Sequence, residues 1–84
     1  MFDYRPLRGR IRMEGKTETE TAKMAGLSSS GLSARLNGTQ EFRQSEIWKM
    51  CEVLTIQPEE IARYFFTPKV QKAESTLTSK AVNR

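Results

Sequence analysis

Few residues of this chain have the types and spacing that chemistry needs. The 84 residues include no histidine and one cysteine. A Cys/His metal cage, a histidine-activated nucleophile and an intrachain disulfide are therefore excluded. Cys51 falls in an apolar series with Ile47, Met50 and Leu54, the i, i+3, i+4, i+7 spacing of a core-facing helix, which makes it a small core residue. Glu59 and Glu60 are adjacent; neighbours on a helix diverge, so they cannot work as an acid–base pair on one substrate. No glycine-rich loop is placed to cradle a phosphate. The expectation is a protein that is not an enzyme and uses no cofactor, metal or small-molecule substrate. Hydrogen bonding and charge remain.

The charge is unevenly placed. Formal net charge is +4, which suits a polyanion partner and also suits an ordinary solvated surface. Residues 1–16 carry Arg5, Arg8, Arg10, Arg12 and Lys16 against Asp3 and Glu14, while residues 44–66 are net acidic and residues 67–84 are basic again. The basic ends are where contacts to a phosphate backbone would arise. No apolar leader and no run long enough to span a bilayer occurs, so the expected location is the cytoplasm, without membrane contact.

The elements that position these groups are helices. TETETAKMAGLSSSGLSARLNG, residues 17–38, reads as two short helices around a tight turn at Ala25-Gly26-Leu27. Thr17 and Glu20 form a capping box, Gly26 stops the first helix, and Ser28 caps the second. Leu32 and Leu36 recur at i, i+4 on its inner face. A helix, a glycine turn and a second helix at this spacing form the helix-turn-helix pattern, whose second helix enters the major groove of DNA. Ahead of it, residues 5–14 form a helix with Pro6 in the first turn and Leu7 and Ile11 inward. Behind it come a helix over 44–54 and one starting at Pro58, with Ile61 and Phe65 inward and Tyr64 flanking. Phe42 is expected to plug the core. Trp48 lies off the apolar stripe of its helix and marks a helix end or a protein interface. Residues 66–71 read as extended, with Pro68 allowing only an edge strand. One domain of residues 1–71 is expected, followed by a disordered basic tail, 72–84.

The segments AKMAGLSSSGLSARLNG, QSEIWKMCEVL and EEIARYFFTPKVQ, with the opening FDYRPLRGRIR, resemble the Cro/repressor family of phage helix-turn-helix proteins, in particular the small Cro-like proteins of phages of Gram-positive bacteria. The resemblance covers residues 2–71. It implies an all-α, five-helix lambda-repressor-like DNA-binding domain with an extended C-terminal tail. By the family's pattern Ser28, Ser29, Ser30, Ser33 and Ala34 face outward on the recognition helix, with Arg35 to one side. Thr17, Asn37, Thr39 and Arg43 would approach the phosphate backbone. Gly9 would sit where helices cross closely, and Phe66 with Val70 would join two subunits. Three departures stand out. Thr21 and Ala25 replace bulky apolar residues, so that Met24 must swing inward or the helix is poorly anchored. Glu18 stands where many relatives hold a phosphate-binding glutamine, and a carboxylate there repels phosphate. Arg43 replaces the usual hydroxyl cap of the following helix, leaving its start weakly capped.

The leading expectation is a sequence-specific, DNA-binding transcriptional regulator of a phage or prophage lysis–lysogeny switch. It would bind double-stranded operator DNA as a homodimer on a pseudo-palindrome. The alternative keeps the fold and changes the partner: a phage modulator that binds a repressor protein through its helix-turn-helix surface. Glu18, a serine face that discriminates poorly between bases and the off-stripe Trp48 speak for the alternative. An antitoxin is a third reading.

Overall fold

The computed structural model describes residues 1–69; Val70 and the tail expected over 72–84 lie outside that range. Five α-helices and one 3-10 turn follow in order: α1 (Arg5–Met13), α2 (Glu18–Met24), α3 (Ser29–Leu36), α4 (Gln44–Leu54), the turn Pro58–Glu60, and α5 (Ile61–Phe65). The fold is all-α, as the sequence pattern requires.

Helix α1 turns Leu7 and Ile11 into the core, where both are fully enclosed. Its neighbour Arg10 reaches across the molecule. The Arg10 guanidinium donates to the carbonyls of Leu54 (3.2 Å) and Thr55 (2.7 Å) and to the Tyr64 hydroxyl (3.1 Å). These carbonyls end α4, so Arg10 caps that helix and sits at the negative end of its dipole. One of the cations expected at phosphates therefore serves the fold. Gly9 needs correction too: a Cβ there would meet nothing within 4 Å, so no close helix crossing explains this glycine.

Helix α2 opens with the expected capping box. The Glu20 amide donates to Thr17 Oγ1 at 3.1 Å, and the Thr17 amide donates to Glu20 Oε1 at 2.9 Å. Neither alternative for Met24 holds. Met24 faces solvent, 53% exposed, and yet α2 is anchored, because Thr21, Ala22 and Ala25 are buried. The buried Thr21 hydroxyl is satisfied by donating to the Thr17 carbonyl at 2.9 Å, so burial leaves no orphaned polar group. Gly26, at φ +77°, makes the turn; a left-handed residue there costs glycine little. Leu27 then packs from the turn against the core.

Helix α3 is capped by Ser28, whose Oγ accepts from the Gly31 amide at 2.9 Å, and it buries Leu32 and Leu36. The start of α4 is held differently from expectation. No hydroxyl cap is present, but Glu46 reaches back so that its Oε1 accepts from the Arg43 amide at 2.8 Å. Met50, Cys51 and Leu54 are buried, while Ile47 is half-buried. Burial pushes the Cys51 thiol pKa up. In α5 the inward pair is Tyr64 and Phe65, with Ile61 half-buried. Tyr64 is drawn inward with its hydroxyl accepting from Arg10 Nη1 at 3.1 Å.

Phe42 plugs the core as expected, meeting Tyr4 and Phe65 edge-on at centroid distances of 5.4 and 5.3 Å. The segment after α5 is extended, but its partner lies in the same chain. Phe2 and Pro68 form an antiparallel bridge. The Asp3 amide donates to the Thr67 carbonyl (2.7 Å), and the Lys69 amide donates to the Met1 carbonyl (3.0 Å). Phe66 packs edge-on against Phe2 at 5.5 Å. The stretch expected to join two subunits thus closes one subunit on itself.

Candidate functional site

The outward face of α2 and α3 is polar and carries no net charge. Ser29 and Ser30 are exposed, and Ser33 and Ala34 are half-buried at the rim. The Thr19 hydroxyl lies 3.2 Å from Ser29 Oγ, which links the two helices across the turn. Several expected contact residues are already engaged. Thr17 and Ser28 use their hydroxyls as caps, and the Thr39 hydroxyl donates to the Ala34 carbonyl at 3.0 Å. Hydroxyls occupied in this way have less capacity left for a base edge.

Arg35 is the clearest correction. Its Nε and Nη2 donate to the two carboxylate oxygens of Glu46 at 2.8 and 3.1 Å, and its Nη1 donates to the Gly31 carbonyl (2.8 Å) and Gln40 Oε1 (2.9 Å). Only 12% of its side chain is exposed. A guanidinium with this fork-on-fork partner is not free to read a base or clamp a phosphate. The Arg35 hydrogen bonds and the Arg43 amide together hold the Glu46 carboxyl below its ordinary pKa.

A second network closes the other end of the face. Arg8 Nη1 pairs with Glu18 Oε2 at 2.6 Å, and Arg8 Nη2 donates to Asn37 Oδ1 at 2.7 Å. This joins α1, the first turn of α2 and the end of α3. Glu18 is therefore neutralised by a protein cation in the place where repulsion of DNA phosphate was expected. Across residues 17–43 the three acids Glu18, Glu20 and Glu41 balance Lys23, Arg35 and Arg43. Among the described residues Arg43 forms no ion pair and is exposed, so it is the cation on this side that best fits the sequence expectation. Arg5 is paired with Asp3 at 2.7 Å, and its hydrogen bonds lower the Asp3 pKa to about 2.

A separate apolar surface lies around Trp48, which is 61% exposed. Trp48 and Phe66 line one open groove of about 590 Å³ with Ile47 and Ile61. The structure thus brings two of the three suspected interface residues together. Sequence reasoning named Glu18 and Asn37 but missed that Arg8 joins them. Arg8 stands ten positions before Glu18 and across a helix boundary, so no helical period could have revealed the pair. Among the described residues no helix is long and apolar enough to cross a membrane.

A five-helix domain presenting a capped helix-turn-helix with a neutral outer face defines the class of protein. The chain belongs to the DUF739 family, whose model, described as a protein of unknown function, matches residues 1–68. Among solved structures it is similar to the modulator of repression of the temperate bacteriophage TP901-1 from Lactococcus lactis. That likeness has 36% sequence identity and a TM-score of 0.68, and it covers 83% of this chain and 95% of the other. No curated protein matches the chain.

Proposed function

We propose that this protein is a small phage regulator that acts by binding a repressor protein through its α2–α3 face, without chemistry and without reading operator DNA. The observation that carries the reading is the capture of both arginines flanking the recognition helix. Arg8 is held by Glu18 and Asn37, and Arg35 by Glu46. What this face offers is hydroxyls, one alanine, the exposed and oppositely charged Glu20 and Lys23, and the neighbouring exposed Met24, a surface suited to a protein and poor in bidentate base readers. The similarity to a modulator of repression supports the same reading. The protein would work in the cytoplasm on the repressor of a lysis–lysogeny switch.

The operator-binding homodimer is a second reading, favoured by the exposed Arg43 in the loop after α3. One pair of titrations separates the two. The protein is titrated into fluorescently labelled repressor of phage TP901-1, followed by anisotropy, and separately into labelled operator duplex from that phage, followed in the same way. Repressor binding that survives a rise from about 50 to about 300 mM salt, with weak DNA binding that vanishes over the same range, is the expected result. Tight, sequence-preferring DNA binding with no response to the repressor would overturn the proposal.

A further inference from the structure

Arg8 stands at the edge of an open groove beside the end of α3, lined also by Arg5, Asn37, Lys69 and Asp3. Three of these side chains are cationic and one is acidic. Without Glu18 this groove would hold a guanidinium left with Asn37 as its partner, beside Lys69 and the Arg5–Asp3 pair, a surface that attracts phosphate without regard to sequence. Glu18 prevents this. Its Oε2 lies 2.6 Å from Arg8 Nη1, and Asn37 Oδ1 takes the other terminal nitrogen at 2.7 Å. The Arg8 and Glu18 side chains are 29% and 38% exposed, so the pair lies at the surface, where a competing phosphate could reach it.

We infer that Glu18 is the specificity-determining residue of the helix-turn-helix face, excluding nucleic acid by holding Arg8 in an internal pair. This rests on the reading of that face as protein-binding and deepens it. The carboxylate occupies the cation a phosphate would seek, and a partner protein with hydroxyl or apolar groups has no need of that cation.

Substituting Glu18→Gln tests this on the full chain. Glutamine keeps the side-chain shape, and circular dichroism establishes that the helices remain. The probe is a labelled 30-base-pair duplex of arbitrary sequence in about 50 mM salt. Freeing one arginine for a charge-assisted phosphate bond should tighten binding about tenfold. It should also steepen the salt dependence by about one unit in the log–log slope. Glu59→Gln, which makes the same change in net charge at an exposed site in the 3-10 turn, should gain little. Arg8→Ala combined with Glu18→Gln should lose the gain. An increase equal to that of Glu59→Gln, or one that survives the loss of Arg8, would overturn the inference. Wild-type affinity for the duplex and for the repressor reports separately on the proposed function, because the inference is read only from differences between variants.

Discussion

Glu46 is predicted to be the residue whose loss most damages the presentation of α3. It accepts a two-pronged bond from Arg35 on α3 and the Arg43 amide at the start of its own helix. Replacing it with alanine leaves a guanidinium that is 12% exposed with only the Gly31 carbonyl and Gln40 as partners. Breaking a buried ion pair costs about 3–5 kcal/mol, whereas a surface pair is worth about 0–1 kcal/mol. This site lies between those limits, with a lost helix cap worth about 1 kcal/mol added. The expected destabilisation by Glu46→Ala is about 2–3 kcal/mol, which for a domain of this size lowers Tm by roughly 10–20 °C. The assay is urea unfolding at pH 7 followed by Trp48 fluorescence, with thermal melts by circular dichroism as a second probe. The sign of the pH dependence follows from the lowered Glu46 pKa. Its stabilisation is fully present above the ordinary value of 4.5 and is lost as pH falls through the lower folded value. The wild-type and Glu46→Ala curves should therefore converge in acid. A loss below about 0.5 kcal/mol at pH 7 would place the pair among ordinary surface ion pairs, and a gap that persists undiminished in acid would refute the electrostatic argument.

Three further outcomes are expected. Thr55 has a left-handed backbone at φ 56°, which a β-branched residue adopts at a cost of about 1–2 kcal/mol; Thr55→Gly should raise the urea midpoint correspondingly. Gly26→Ala should do the reverse by about 1 kcal/mol, because φ is +77° although space for the methyl is free. The Cys51 thiol, buried and with a raised pKa, should resist a thiol-titrating disulfide reagent at neutral pH and react fully once urea unfolds the chain.

The helices were legible in the sequence because their signals are local. Thr17 with Glu20, Gly26, Ser28 and the Ile47–Leu54 stripe each state a cap, a stop or a face within one or two turns. The failures arose where packing between distant segments decided the outcome. Thr21 reads as a polar residue in place of an apolar one, yet its hydroxyl finds a carbonyl four residues back and it becomes core. Ile56 is buried just after α4, in a three-residue link where no periodicity points to it. At the candidate site, outward positions on α3 could be read from the helical period and the family resemblance. The occupation of Arg8 and Arg35 could not, since their carboxylates lie ten and eleven positions away. Counting cations therefore overstated what the surface offers a phosphate.

The bridge between Phe2 and Pro68 ties together positions separated by nearly the whole described chain. Closing so long a loop is an entropic cost that only the completed core can offset, so these bonds form late in folding and belong to the cooperative whole. The Asp3 and Lys69 amides should then exchange with solvent deuterium through openings that release both at once. A protease that clips the first three residues would strip the Thr67 carbonyl of its donor and uncover one face of Phe66. Damage at one end of the described range is felt at the other, and the bridge works, in mechanical terms, as a clasp.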